Sequence, residues 1–382
     1  MSTAFPPTLQ LSAHALVSCH TPRRPRSGRL PHSAPQHPHL YCVVEPSGSG
    51  LVPSSSHPPG STMGADVPPP KPSEASAGTP GALSPAQVAQ FRSEGFLVLE
   101  AFAGHEEVAA MLASADVLVD AFDPSTLAGN DVSGGLTRHV FSTTDQKKTS
   151  DAYFRDSGNH VSFFFEEQAF DDATGKLRQA KHLSLNKMGH ALHDLDPTFR
   201  AFSRSDKVCA LLGSLDMHVP VPVQSMYIFK QPSIGGEVVP HQDSTFLYSH
   251  PMTCTGLWVA LEDCTKENGC LWAMPQSHLG GVHKRMVVEP GAGGVAFEGA
   301  YPEWDLSKFV PLEVAAGTMV LLHGENVHYS APNTSDVSRH AYSVHFVDGD
   351  AKWDERNWLQ RRDDFPFQPL AGPAPAAAAA AR

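Results

Sequence analysis

The carboxyl-terminal part of the chain, from Val219 onward, is a succession of short apolar or alternating runs separated by turn residues. The runs occupy residues 223–229, 256–262, 269–274, 309–314, 318–322 and 341–347. Between them stand stretches rich in glycine, proline, asparagine and aspartate, which are the residue types that form turns. Many short strands in succession predict a β-sandwich or a barrel.

The region that precedes these strands carries helix patterns instead. Ser84 can cap a helix that ends at Gly95, and a short buried strand follows at residues 96–99. Apolar residues at helical spacing predict a second helix over residues 105–122 and a third that ends at Gly213. We therefore predict a mainly β domain with flanking helices, a double-stranded β-helix of the jelly-roll, cupin-like type.

Composition divides the chain into three parts. Of the 33 prolines, 16 lie in the first 80 residues, which have no sustained apolar period, and this predicts a disordered extension over residues 1–82. Residues 370–382 form an alanine-rich tail of low complexity. One folded domain, residues 83–369, lies between the two.

The extension has two interpretations. Four arginines between residues 23 and 29, with no acid before Glu45, are typical of an organelle transit peptide, whereas the many prolines disfavour the amphipathic helix of such peptides. A plain disordered tail is the alternative, and Met63 is an alternative start. The six cysteines form no Cys-x-x-Cys pair, which favours a reducing compartment. We expect a cytoplasmic protein, with the mitochondrion or a plastid as the alternative location.

Charge and hydropathy exclude two classes of partner. The net charge is −12, with 28 basic and 40 acidic residues, and this leaves no basic surplus for a nucleic acid. No apolar run approaches the roughly 20 residues that a membrane-spanning helix needs. We predict that the chain binds a small-molecule substrate, does not bind nucleic acid and does not span a membrane.

A His-x-Asp motif, His241-Gln242-Asp243, is followed 85 residues after its aspartate by His328. In an extended strand residues two apart point to the same face, so His241 and Asp243 can address one ion while Gln242 points away. His328 comes just past the predicted strand 318–322. Two histidines and one carboxylate cover one face of an octahedral Fe(II) ion and leave three positions open. The motif therefore predicts an iron site that can activate oxygen.

An arginine, Arg339, follows His328 after a turn, so we predict that the two lie on neighbouring antiparallel strands that face one interior. Burying an arginine in an apolar barrel is costly unless an anion pairs with it. A dicarboxylate can supply that anion if one end chelates iron while the other takes a bidentate contact from Arg339 and a hydrogen bond from Ser330.

Several passages of the chain resemble the phytanoyl-CoA dioxygenase family of iron- and 2-oxoglutarate-dependent oxygenases. The resemblance covers about residues 83–367 and rests on Pro240-His241-Gln242-Asp243, Glu262-Asp263, Glu267-Asn268-Gly269-Cys270-Leu271-Trp272, Pro275-Gln276-Ser277-His278 and His328-Tyr329-Ser330, with Asn333 and Arg339. Segments 162–167 and 186–193 add to it. One departure is Gln276, where the family usually has glycine.

The resemblance implies roles for eight residues. His241, Asp243 and His328 correspond to the iron ligands, and Arg339 with Ser330 to the carboxylate site of 2-oxoglutarate. Three further residues correspond to the walls of the co-substrate pocket, namely Lys187, Met226 and Trp258. For these three, the alternatives are a solvated lysine and two packing residues of their strands.

The implied activity is that of a 2-oxoglutarate-dependent dioxygenase. Such an enzyme uses Fe(II), 2-oxoglutarate and O2, with ascorbate as a candidate reductant, and couples decarboxylation of 2-oxoglutarate to succinate and CO2 with hydroxylation of a small molecule. The retained Asp243 favours hydroxylation over halogenation. A lipid or acyl compound is one candidate substrate class, although the sequence shows no convincing basic cluster for the phosphates of coenzyme A.

Two other functions use the same ligands. A cupin-like protein can bind a metal and a metabolite without oxygenating it, and a zinc hydrolase can activate water. The intact Asp243 and Arg339 argue against the first, and the second leaves Arg339 and Ser330 without a role, so both comparisons favour the oxygenase.

Overall fold

The structure is a computed structural model that describes residues 79–127, 139–143, 150–171, 173–289 and 294–370. Nearly all of the predicted disordered extension (1–82) and of the alanine-rich tail (370–382) lies outside the described residues. In the part of the chain that is described, no helix combines the length and the apolar character needed to cross a bilayer.

The secondary structure begins with helices and continues mainly as strands. The helices are α1 (Pro85–Glu94), α2 (His105–Ala121), α3 (Ala152–Asp156), α4 (Leu192–Leu195), α5 (Pro197–Ser203) and α6 (Asp206–Gly213). The strands are β1 (Phe96–Leu99), β2 (Val161–Phe165), β3 (Leu185–His190), β4 (Pro220–Ile228), β5 (Val238–His241), β6 (Ser249–His250), β7 (Thr255–Ala260), β8 (Leu271–Ala273), β9 (Lys284–Val288), β10 (Val295–Gly299), β11 (Val310–Leu312), β12 (Met319–His323), β13 (His328–Ser330), β14 (Ala341–Asp348) and β15 (Lys352–Trp353).

Helix α1 has the predicted boundaries because its ends are capped as the sequence indicates. The backbone N–H of Gln87 donates to Ser84 Oγ at 3.3 Å, and Gln87 Oε1 accepts from the backbone N–H of Ser84 at 2.8 Å. Gly95 ends the helix with φ of 80°, a left-handed conformation that suits glycine. The predicted third helix, however, is two helices: Arg204 leaves the helical conformation with φ of −111° and ψ of 15°, and α6 begins after Ser205.

The strands form a large and a small antiparallel sheet. The large sheet has seven strands in the order β1-β12-β7-β14-β4-β3-β2, and the small sheet has four in the order β11-β8-β13-β5. Two further pairs, β10-β9 and β15-β6, are separate. All six predicted strand segments overlap an observed strand, and the predicted double-stranded β-helix is confirmed.

Strand β3 was not predicted, and its sequence explains why. Leu185–His190 reads Leu-Asn-Lys-Met-Gly-His, which lacks the apolar alternation of a typical half-buried strand. It pairs with β4 and with β2, and β2 forms the edge of the large sheet. Polar residues on β3 are buried all the same: Lys187 is 7% exposed and His190 is 1% exposed.

The large sheet has two differently packed faces because side chains alternate along each strand. On β14, Tyr342, Val344 and Phe346 belong to the main apolar core, which also includes residues of α2, α5 and α6. Ala341 lies on the other face, in a second apolar cluster with β8, β11 and β12 residues of both sheets. Ser343 and His345 share that inner face and line a cavity. The cavity therefore lies on the inner face of the large sheet.

Candidate active site

The His-x-Asp motif and the distant histidine meet at one point of this cavity. His241 ends β5 and His328 begins β13, and the two residues pair directly across these strands. Asp243 Oδ1 lies 3.8 Å from His241 Nε2 and 3.7 Å from His328 Nε2. One ligand atom from each of the three residues lies within 4.8 Å of the others, a cluster that could hold a metal ion.

The ring nitrogens that face away from the cluster are held by the backbone. His241 Nδ1 donates to the Val239 carbonyl at 2.9 Å, and His328 Nδ1 donates to the Asn326 carbonyl at 3.2 Å. Each contact makes Nδ1 the donor and orients Nε2 toward the cluster, as metal-binding histidines require. Burial, with the neighbouring His328, lowers the pKa of His241 to about 4, so this ring is neutral at physiological pH. The donor set of two imidazoles and one carboxylate fits Fe(II).

Asp243 is oriented by a residue of the opposite sheet. Its Oδ2 lies 3.1 Å from His345 Nε2 on β14, which leaves Oδ1 toward the two ligand histidines. Burial alone raises the pKa of Asp243, but the imidazoles of His345 and His328 outweigh burial and hold the pKa below its usual range. Gly256 allows this approach, because a Cβ there would lie 3.2 Å from Asp243 Oδ2. The carboxylate is thus ionised and fixed.

Two sequence-based expectations about these residues need correction. His241 and Asp243 do not share one strand, since β5 ends at His241 and Asp243 begins a 3₁₀ turn, Asp243–Thr245. They still point the same way because Gln242 between them is extended, with φ of −117° and ψ of 134°. As predicted, the Gln242 side chain points elsewhere, and its Nε2 donates to the carbonyls of Gly281 and Glu325.

The second correction concerns Arg339. His328 lies on β13 of the small sheet, whereas Arg339 immediately precedes β14 of the large sheet, so the two are not on neighbouring strands. They nevertheless line the same cavity, one from each sheet. The short connection between β13 and β14 crosses between the sheets, and this crossing is what places the arginine opposite the metal ligands.

Arg339 is buried, at 1% exposure, and incompletely hydrogen-bonded. Its Nε donates to the Gly269 carbonyl at 3.0 Å, and Nη1 has no hydrogen-bond partner among the described residues. The guanidinium carbon lies 5.2 Å from the centre of the Trp258 ring. Burial lowers the pKa of Arg339, yet a guanidinium stays protonated in proteins. A buried cation with an unused donor favours an anionic ligand.

Lys187 and Met226 lie together on β3 and β4. Lys187 Nζ lies 3.7 Å from Met226 Sδ and 3.2 Å from the centre of the Phe141 ring. Burial lowers the pKa of Lys187 to about 7, although the nearby Glu166 opposes the shift. Lys187 is therefore not the solvated surface lysine of the alternative interpretation. Both residues line the cavity, as does Trp258.

A second buried lysine, Lys230, was missed in the sequence. It follows β4, is 2% exposed, and its Nζ donates to the Gly236 carbonyl at 2.6 Å and to Ser330 Oγ at 2.8 Å. Burial, together with the positive charge of Arg339, lowers its pKa to about 7. The one available signal was a lysine between an apolar strand and the turn that begins at Pro232, where a solvent-exposed side chain is the usual expectation.

A buried acid, Glu166, lies near the basic residues Lys187, Lys230 and Arg339. Glu166 is 1% exposed, and its Oε2 accepts from Asn186 Nδ2 at 2.9 Å and from the backbone N–H of Gly236 at 3.1 Å. Burial raises the pKa of Glu166, although Asn186, Gly236 and the lysines oppose the shift. Among the described residues, Glu166 is the one buried acid that acts on Lys187, Lys230 and Arg339, so basic groups are in excess at this end of the cavity. We call Lys187, Lys230, Ser330 and Arg339 the cationic end.

Comparisons with known proteins agree with this geometry. The sequence model of the family Phytanoyl-CoA dioxygenase (PhyH) matches residues 91–341. Phytanoyl-CoA dioxygenase of Arabidopsis thaliana is 48% identical over 285 residues, which are 74% of this chain and 96% of that protein. Phytanoyl-CoA dioxygenase domain-containing protein 1 of Bos taurus is 46% identical over 296 residues, which are 75% of this chain and 98% of that protein.

A solved structure shares the fold. EctD from S. alaskensis, crystallised with 2-oxoglutarate and 5-hydroxyectoine, superposes with a TM-score of 0.52 at 18% sequence identity, over 79% of this chain and 90% of that chain. This similarity supports the jelly-roll architecture, while the family match and the relatives confirm the predicted resemblance. The chain belongs to the phytanoyl-CoA dioxygenase family and is a 2-oxoglutarate-dependent dioxygenase.

Proposed function

We propose that this enzyme binds Fe(II) through His241, Asp243 and His328 and binds 2-oxoglutarate at the cationic end, and that it hydroxylates a small molecule. O2 is the second co-substrate, and ascorbate is the reductant that keeps the iron ferrous. The observation that carries the proposal is the pairing of a two-histidine, one-carboxylate cluster with a buried, incompletely hydrogen-bonded Arg339 in one cavity.

When bound, iron and 2-oxoglutarate supply the oxidising chemistry, in which 2-oxoglutarate loses CO2 to become succinate and one oxygen atom of O2 enters a C–H bond of the substrate. The residues of the chain bind, orient and exclude water. His345 Nε2 lies 3.1 Å from Asp243 Oδ2, on the side of the carboxylate opposite Oδ1, which faces the two histidines. The backbone carbonyls of Val239 and Asn326 hold the histidine rings.

At the cationic end, Arg339 is the anchor for the far carboxylate of 2-oxoglutarate. Its planar guanidinium lies above Trp258, and the unused Nη1 can donate to a carboxylate oxygen. Ser330 offers its hydroxyl hydrogen, because its oxygen already accepts from Lys230. Lys187 and Lys230 add positive charge when they are protonated, and Met226 keeps the ammonium group of Lys187 in place.

A zinc hydrolase explains the site less well. A zinc hydrolase activates water with three protein ligands and needs no buried cation beside them. The cationic end would then bury Arg339 without a counterion, which is energetically costly.

The test is anaerobic reconstitution of the full chain with Fe(II) and 2-oxoglutarate. We expect a weak visible charge-transfer band on mixing, and succinate release once O2 is admitted. The variant Asp243→Ala should show neither, whereas Asp364→Ala, which changes an exposed aspartate outside the cavity, should match the wild type. Absence of both the band and succinate in the wild-type protein would overturn the proposal.

A further inference from the structure

The cavity has a second end, opposite the cationic end. Along β14 and β4, Ser343 pairs with Met226 and His345 pairs with Gln224. Lys230 and Arg339 lie beyond the Ala341 and Ile228 pair at one end of these strands, and Gln224 and His345 lie toward the other. The register therefore places Lys230 and Arg339 at one end of these strands and Gln224 and His345 toward the other. This second region lies near the candidate metal ligands, since His345 contacts Asp243.

Apolar and neutral polar side chains form the wall of this second end. We call it the neutral end, and it consists of Phe154, His190, Gln224, Phe246, Met286 and Trp358. Among the described residues that line the cavity, the aspartate, lysine and arginine side chains are Asp243, Lys187, Lys230 and Arg339. None of these belongs to the neutral end. A charged group placed there would lose its hydration, and the residues of the wall would supply no counterion.

The aromatic side chains of the neutral end pack on one another. The Trp358 ring lies 4.4 Å from Phe154 and 5.1 Å from His190, measured between ring centres. Phe154, Phe246, Met286 and Trp358 also belong to one apolar cluster, distinct from the main core. Such a wall binds an apolar molecule through the area that it removes from water.

His190 presents a hydrogen-bond acceptor in this wall. The single hydroxyl hydrogen of Ser157 is donated to the Phe154 carbonyl, so His190 Nδ1, which lies 2.7 Å from Ser157 Oγ, must be the donor in that contact. Nε2 then carries a lone pair. Burial, with Lys187 and His345 nearby, lowers the pKa of His190 well below its usual value, so the ring stays neutral.

Two further groups complete the polar set. Gln224, which is 6% exposed and lines the cavity, carries an amide with both donor and acceptor capacity. Trp358 is 3% exposed, and its Nε1–H has no hydrogen-bond partner among the described residues. An unpaired buried donor is unfavourable unless a ligand supplies an acceptor.

We propose that the neutral end binds the substrate, and that the substrate is an uncharged, mainly apolar molecule with one hydroxyl or amide group that hydrogen-bonds to His190 and Gln224. The proposal rests on the function proposed above and adds a substrate class to it. A substrate whose bound portion carries a carboxylate, phosphate or ammonium group does not fit this end.

The experiment compares probes that share an eight-carbon chain and differ only in the head group. Octan-1-ol and octanamide are neutral, octanoate is an anion and octylammonium is a cation. Binding to the anaerobic complex of the full chain with Fe(II) and 2-oxoglutarate is measured by titration calorimetry. At least one neutral probe should bind, and both charged probes should bind weaker by at least roughly tenfold.

Variants connect the binding to the proposed residues. Gln224→Met keeps the length of the side chain and removes its amide, and we expect it to weaken binding of the neutral probes roughly fivefold. Gln168→Met, a change of an exposed glutamine outside the cavity, is the matched control and should leave binding unchanged. Circular dichroism confirms that both variants fold.

The outcomes separate this proposal from the proposed function. Binding of octanoate as tight as that of octan-1-ol, failure of both neutral probes to bind, or an unchanged affinity in Gln224→Met would overturn the neutral-end proposal. Succinate release in the same protein would still support the oxygenase. Loss of succinate release together with selective binding of the neutral probes would overturn the oxygenase chemistry alone.

Discussion

The two ends of the cavity are built on the same strands and have opposite chemistry. At the cationic end, Lys230 follows β4 and Arg339 precedes β14. Toward the neutral end, Gln224 lies within β4 and His345 lies within β14. A few residues of strand register therefore separate two regions of opposite chemistry. In our proposal, the cationic end takes the co-substrate that the reaction always needs, and the neutral end takes the molecule that is specific to this enzyme.

The largest effect is expected from a substitution at the cationic end. Arg339→Ala removes the charged anchor for 2-oxoglutarate, and we expect the KM for 2-oxoglutarate to rise roughly hundredfold, with a much smaller change in kcat. Succinate release measured against 2-oxoglutarate concentration reports both constants. Arg362→Ala, which removes an exposed arginine outside the cavity, serves as the control. An unchanged KM in Arg339→Ala would remove this residue from the co-substrate site.

A positive charge introduced at the neutral end should allow that end to bind an anion, as the cationic end is proposed to do. Gln224→Lys puts an ammonium group where the wild type has an amide, and we expect affinity for octanoate to increase roughly thirtyfold, since hydrogen bonds between charged groups are the stronger ones. Gln224→Met is the uncharged comparison. If octanoate binds Gln224→Lys and Gln224→Met with equal affinity, the absence of charge at the neutral end does not determine which ligand binds there.

Removing Lys230 should weaken the cationic end less than removing Arg339. We expect Lys230→Met to reduce the affinity for 2-oxoglutarate roughly tenfold at pH 6.5, because one charge and its hydrogen bonds are lost. The side chains of Phe141 and Met226 still hold Lys187 in this variant. Equilibrium binding of 2-oxoglutarate to the anaerobic iron complex is the measurement.

The pH dependence of the same binding provides a separate test. Burial lowers the pKa values of Lys187 and Lys230 to about 7 each, so both lysines lose their charge as the pH rises through 7. A dianionic ligand favours the protonated lysines, and affinity for 2-oxoglutarate should therefore fall between pH 6.5 and 8.5. Lys230→Met should show a shallower fall, because one of the two titrating groups is gone. An affinity that is independent of pH in the wild type would contradict this prediction.

The smallest expected effect concerns Ser330. Ser330→Ala removes one neutral hydroxyl, and we expect the KM for 2-oxoglutarate to rise about fivefold. The change also removes an acceptor of Lys230 Nζ, which keeps its bond to the Gly236 carbonyl. Ser330→Thr retains the hydroxyl and should restore most of the affinity. A rise in KM as large as that of Arg339→Ala would mean that the two residues act as one unit.

Local signals in the sequence predicted the parts of the fold whose pattern is apolar. The capping box at Ser84 and the apolar or alternating runs of β7, β12 and β14 were predicted because each signal lies within a few adjacent residues. Strand β3 was not predicted, because its inner face carries the polar residues Lys187 and His190. A strand that contributes to a polar site loses the alternation by which strands are recognised.

The candidate site was likewise predicted in part, where the signal is local in the sequence, and missed where it is not. His241 and Asp243 are two residues apart, and an extended residue between them is enough to align their side chains. His328 and Arg339 were identified as candidates, but they were predicted to lie on neighbouring strands, whereas the structure places His328 in the small sheet and Arg339 beside the large one. The contact of His345 with Asp243 and the contact of Lys230 with Ser330 join residues about one hundred positions apart, and no local pattern indicates them.

Residue type and short-range periodicity in the sequence predicted the fold class, and the resemblance of its motifs to a known family indicated the candidate metal ligands and most of the candidate co-substrate residues. Which side chains share a cavity, and how charge is distributed in it, follow from the tertiary structure, because burial and strand register are collective properties. Lys230, Gln224 and His190 acquire their candidate roles from the walls around them, since a lysine in water and a lysine 2% exposed beside Arg339 are chemically different groups.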